Sequence, residues 1–121
     1  MNDLNIIIGK TVDDKFYFRL RLEGGRILLT SREYVCIEKC MNEIYGIQQY
    51  PDFEFVEEFV HGYGYQYTLI GSWGRMVAIS PFYTYLTQMR NDMNGVKKLV
   101  GKATVIDKTP LVRFFRPVRI Q

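Results

Sequence analysis

The feature that most constrains this fold is one pattern written twice. Phe16 to Ser31 reads FYFRLRLEGGRILLTS. Phe16, Phe18, Leu20 and Leu22 alternate with Tyr17, Arg19, Arg21 and Glu23, the period of a strand whose successive side chains point to opposite faces. Gly24-Gly25 supplies the positive φ that a hairpin turn wants, and Ile27 to Thr30 returns as the second strand. Moved along by forty-nine residues without a gap, the chain lands on itself. Phe16-Tyr17-Phe18-Arg19-Leu20 falls on Tyr65-Gln66-Tyr67-Thr68-Leu69, and Gly25-Arg26 on Gly74-Arg75. Ser31 falls on Ser80, Tyr34 on Tyr83, Asn42 on Asn91 and Gly46 on Gly95. Seven identities in thirty-five pairs are sparse. The pattern is stronger, because apolar falls on apolar at Ile27/Met76, Leu28/Val77, Ile37/Leu86, Cys40/Met89, Ile44/Met93 and Ile47/Val96. The reading is a single domain of two repeats, about 5–52 and 54–101, with a closing strand at 103–109 and an extension at 110–121.

Each repeat carries its own helical stripe. Ile37, Cys40, Met41, Ile44 and Ile47 recur at helical spacing, with Glu38, Lys39, Asn42 and Glu43 expected to face outward. On that reading Glu43→Ala is near neutral. Gly46 is expected to end or loosen the helix, and Pro51 forbids its continuation. Leu86, Met89, Met93 and Val96 rebuild the stripe, with Arg90 in the place of Met41. Asn5 to Lys10, Phe53 to Val60 and Thr104 to Asp107 are expected strands, and Val112 to Phe115 could add one more. About fifty residues alone bury too little apolar area to offset chain entropy, so the copies should share a core.

The run from Phe16 through Tyr34, with Asn42, Ile44 and Ile47 on the helix, resembles the YegP-like family of small uncharacterised bacterial proteins. Ser80, Tyr83, Asn91, Met93 and Val96 keep the resemblance in the second copy, and Ala103 to Thr109 is similar to the family's closing strand. The resemblance implies an α+β fold. Two tandem β-β-β-α-β repeats would form one antiparallel sheet, with exchanged closing strands and both helices on one face. It implies no activity. The chain departs from the family where Gly usually follows the helix Asn: Glu43 and Asp92 stand there. Val35-Cys36 replaces the usual Ser or Thr capping stretch in the first copy.

Charge is divided unevenly. Residues 1–61 hold seven Lys/Arg and eleven Asp/Glu, and residues 62–121 hold nine and two, so net −4 faces net +7. Such polarity marks either a basic binding surface or mutual attraction of the halves. No basic segment leads into an apolar run and no stretch approaches the ~20 apolar residues of a membrane helix, so a cytoplasmic protein without a membrane partner is expected. Cys36 and Cys40 could face one another on a helix, but two thiols and a lone histidine, His61, leave a zinc site short of ligands. Cys40 reads as a small buried hydrophobe. No metal or cofactor is expected.

No nucleophile–base pair stands out, so an enzyme of unknown class ranks third. The expected function is a non-enzymatic binding or interaction module, a regulator or inhibitor of another protein, acting as a monomer or weak homodimer. Its candidate residues are Trp73, which replaces Gly24 at the hairpin tip, and Arg113, Phe114, Phe115, Arg116 and Arg119 in the extension. The alternative is nucleic-acid binding through the basic second half, where Tyr63, Tyr65, Tyr67, Phe82, Tyr83 and Tyr85 could stack bases beside Arg75, Arg90, Lys97 and Lys98. Tyr65, Tyr67 and Tyr83 read better as core, because they fall on Phe16, Phe18 and Tyr34.

Overall fold

The computed structural model describes residues 3–50 and 52–109. Strands β1 (Leu4–Lys10), β2 (Phe16–Leu22) and β3 (Ile27–Ser31) lead into helix α1 (Ile37–Gln49). Strands β4 (Glu54–Val60), β5 (Gly64–Ile70) and β6 (Met76–Ile79) lead into helix α2 (Leu86–Leu99), and β7 (Thr104–Asp107) follows. All seven strands form one sheet in the order β4-β5-β6-β3-β2-β1-β7. The helical stripes bury Cys40, Ile44 and Ile47 of α1, and Met89 and Val96 of α2. They share one core with Ile6, Ile8, Phe18, Leu20, Tyr67 and Leu69 from alternate strand positions. Met41 is exposed, as is Arg90. Gly46 does not end α1, which runs on until the Tyr50 N–H donates to the Gly46 carbonyl.

Of the exchanged closing strands expected, one crosses. β4 stands in the second half where β1 stands in the first, forty-nine residues on, and pairs with β5 as β1 pairs with β2. The strand after α2, β7, returns to the first half and pairs with β1. The β1–β7 pairing is parallel, whereas the other five are antiparallel. A long crossover makes this possible, since a parallel partner must be reached by more than a hairpin.

At the centre, β3 meets β6 antiparallel with Thr30 opposite Ile79. These two lie forty-nine residues apart, so the halves meet head to head across a local two-fold. Each hairpin carries a bulge at the same place. Leu20 pairs with Leu29 and Arg21 with Ile27, so Leu28 is the extra residue; Leu69 pairs with Ala78 and Ile70 with Met76, so Val77 is. The bulge interrupts alternation and buries two consecutive side chains, Leu28-Leu29 and Val77-Ala78. One serine beyond each bulge mends the ladder. Ser31 Oγ accepts the Phe18 N–H at 2.8 Å and donates to the Arg32 carbonyl at 2.7 Å. Ser80 Oγ accepts the Tyr67 N–H at 2.9 Å and donates to the Pro81 carbonyl at 2.7 Å.

Gly64 opens β5 at φ +115°, and a Cβ there would collide with the Tyr83 carbonyl oxygen. No helix among the described residues is long and apolar enough to cross a membrane.

Ser31→Ala and Ser80→Ala should each lower stability by about 1–3 kcal/mol in urea unfolding, because each strands a buried backbone N–H. Ile44→Ala should cost about 2–4 kcal/mol as a buried large-to-small change.

Candidate functional site

Backbone hydrogen bonds place two tyrosines. Tyr34 exchanges N–H···O bonds with Phe16 at 2.8 and 2.7 Å, and Tyr83 does the same with Tyr65. Each tyrosine is thereby held just ahead of its helix, with its ring stacked on a strand aromatic, Tyr34 on Phe18 and Tyr83 on Tyr67. Its hydroxyl donates to the carboxylate nine residues on. Tyr34 reaches Glu43 at 3.0 Å, and Tyr83 reaches Asp92 at 2.7 Å. Burial, then the neighbouring carboxylate, raises both tyrosines well above the ordinary phenol range, so they remain donors at neutral pH.

Each carboxylate also receives an arginine from the opposite half. The Arg26 carbonyl closes the β2–β3 turn by accepting the Leu22 N–H, and the Arg75 carbonyl closes the β5–β6 turn by accepting the Gly71 N–H. Their side chains then cross. Arg26 donates to Asp92 with both terminal nitrogens, at 2.6 and 3.0 Å. Arg75 reaches Glu43 through one nitrogen only, at 3.4 and 3.5 Å. Glu43 has a second cation near it, Arg32 at 3.6 Å, whose guanidinium also lies 4.6 Å over the Tyr34 ring. Glu43 therefore does not face outward. Its side chain is 12% exposed and Asp92's 10%, because each binds inward-facing partners at the rim of the core.

Burial works to raise the Asp92 carboxyl, but hydrogen bonds from Arg26 and Tyr83 outweigh it and hold the group below the usual range. Its stabilising share is complete above the unfolded value of about 3.9 and is lost as pH falls through the lower folded value. Asp92→Ala should cost about 2–3 kcal/mol, since it leaves the Tyr83 hydroxyl unpaired and Arg26 without its partner. Glu43→Ala should cost less, about 1–2 kcal/mol, because its arginines sit farther off. Acid unfolding of Asp92→Asn should show a shallower loss of midpoint below about pH 4 than the parent chain does.

Trp73 lies beside this network. It sits at the tip of the second hairpin at φ +68°, 96% exposed. The equivalent position in the first hairpin is Gly24 at φ +103°. A bulky residue in the left-handed region is an outlier, and here no burial of the indole offsets it. A groove of about 320 Å³ runs from Trp73 past Arg75, Gly46 and Ile47 to Tyr50 and Asp52. Tyr50 and Tyr45 are both exposed and stand edge to face at 6.4 Å.

The other aromatics divide. Tyr67 and Tyr83 are buried and Tyr65 packs against the core, whereas Tyr63, Phe82 and Tyr85 are exposed. Tyr63 and Phe82 lie 5.3 Å apart. Arg90 is bound to Glu57 by two bonds of 2.8 Å, and Lys97 lies 5.9 Å over the Phe55 ring. Burial raises the Cys40 thiol to about 12, which keeps it an unreactive part of the core. Arg113, Phe114, Phe115, Arg116 and Arg119 lie outside the described residues, as does the strand expected at Val112 to Phe115. The groove residue Tyr50, its neighbour Tyr45 and the cation Arg32 carry no repeated pattern that would single them out. The carboxylates do: both stand where the resembled family has glycine, beside a Gly-Arg pair that also recurs.

No protein-family model matches this chain, and no curated protein does. Two solution NMR structures are similar in fold. The UPF0339 protein SO3888 from Shewanella oneidensis superposes with a TM-score of 0.79 at 21% identity, over 87% of this chain and 91% of that one. The protein of unknown function yegP from E. coli gives a TM-score of 0.75 at 19% identity, over 89% and 95%. The fold implied by the doubled hairpin and helix is thus the fold found, and the chain is a YegP-like α+β protein in architecture.

Proposed function

We propose that this chain is a non-enzymatic binding module that holds another protein through Trp73 and the adjoining sheet edge. One observation carries the reading: a tryptophan is 96% exposed at a φ of +68°, in a position that the other hairpin fills with glycine. Such a residue weakens the fold locally and contributes nothing to the core, which is the signature of a side chain kept for contact. Large aromatics are the usual anchors of protein interfaces. The groove beside it is lined by the buried Ile47 and the exposed Tyr50. At the sheet edge, β4 exposes Val56 and Phe59, an arrangement that suits the addition of a partner strand.

The nucleic-acid alternative draws on the net +7 of residues 62–121. Against it, Arg90 is already closed on Glu57 by two bonds of 2.8 Å.

Trp73→Gly separates folding from binding. It relieves the left-handed strain, so the variant should be as stable as the parent or up to about 1 kcal/mol more so. Its affinity for the partner should fall by about 2 kcal/mol or more, the loss of an anchor. The measurement is affinity capture from the source cell, with nuclease treatment, using parent and variant side by side. A protein retained through nuclease by the parent and lost by Trp73→Gly supports the reading. Capture that vanishes with nuclease favours nucleic acid, and capture that ignores the substitution removes Trp73 from the site.

A further inference from the structure

We infer that the cleft between the end of β3, helix α1 and the second hairpin binds an oxyanion, a carboxylate or phosphate group on a small ligand. The cleft holds about 290 Å³ and is lined by Arg32, Tyr34, Lys39, Asn42, Glu43 and Arg75. Three cations face one carboxylate there, a local surplus of positive charge that an anion would neutralise. The inference does not rest on the role of Trp73.

The molecule contains its own control. The equivalent cleft of the other half, about 270 Å³, is lined by Arg26, Tyr83 and Gln88 among others, with Pro81 in the place of Arg32. Gln88 stands where Lys39 stands. That cleft has one arginine closed on Asp92 by two short bonds, so its charges cancel. In the first cleft the same frame is left open. Arg75 and Arg32 approach Glu43 no closer than 3.4 and 3.6 Å.

Arg32 adds a second observation. Its Nε is buried and has no hydrogen-bond partner among the described residues. Its guanidinium is fixed in orientation by the Tyr34 ring at 4.6 Å. A buried donor without an acceptor is costly, and a planar guanidinium presents its N–H groups in the fork that an oxyanion matches. Lys39 and the Asn42 amide, one turn of α1 apart along the wall, add donors that can reach a second oxygen.

The test is an NMR titration of the full-length ¹⁵N-labelled chain at low ionic strength, following the arginine Nε–H signals. Inorganic phosphate is the probe in one arm and succinate in the other. The Arg32 signal should move and saturate in at least one arm while the Arg26 signal stays in place; the arm that saturates names the anion. Arg32→Gln and Lys39→Gln should each weaken binding about tenfold, the loss of one charge-assisted contact. Lys39 is exposed on its helix, so its variant keeps the test open should Arg32→Gln fail to fold. Shifts that never saturate, shifts shared equally by Arg26 and Arg32, or a Lys39→Gln variant that binds as the parent does would each overturn the inference.

Discussion

The bidentate pair between Arg26 and Asp92 is the constraint on which the arrangement of this molecule depends. It ties the turn of the first hairpin to the second helix, across the line where β3 meets β6. Tyr83 completes it from below with a hydroxyl that burial keeps protonated. The contact is possible because Thr30 faces Ile79: a local two-fold at the sheet centre carries each hairpin tip to the other half's helix. A half of about fifty residues has too little core to stand alone, so fastening hairpin to foreign helix makes the two cores one. The return of β7 from the end of the second half to β1 of the first acts in the same direction.

That frame is used in two ways. On one side the carboxylate is Asp92, short and directly opposed to one arginine, and the charges close on one another. On the other it is the longer Glu43, shared loosely between Arg75 and Arg32. The closed side serves stability. The open side carries the features that a fold does not need: surplus cations, a buried Nε without a partner among the described residues and, next to it, an exposed tryptophan in a glycine's conformation. Asymmetry between equivalent positions is here the more informative guide to function, since the shared frame already accounts for what is common to both.

Much of the fold was legible because its signals are local. Period-two alternation placed β2 from Phe16 to Leu22, and helical stripes placed α1 and α2 with Cys40, Ile44, Ile47, Met89 and Val96 inward, although Met41, counted in the first stripe, is exposed. The parallel direction of β7 was not legible, since it is decided by how a long crossover returns to β1. Glu43 was misplaced for a different reason. It stands three residues after Cys40 and four before Ile47, on the same face as the buried stripe. Hydropathy assigns a carboxylate outward, and only its partners, Tyr34 and Arg75, show why it faces the rim instead. Trp73 was legible as a singular residue from its mismatch with Gly24. Its exposure was not, because a turn tip can fold back on its own strands.

One cleft is closed by its ion pair and the other is left open, and two double-mutant cycles in urea unfolding measure the difference: Arg26→Gln with Asp92→Asn, and Arg75→Gln with Glu43→Gln. A closed and an open cleft should give a coupling of about 1 kcal/mol or more for the first pair and under about 0.5 kcal/mol for the second, in line with a networked bidentate pair against a long one. Equal couplings, or a stronger one between Arg75 and Glu43, would contradict it.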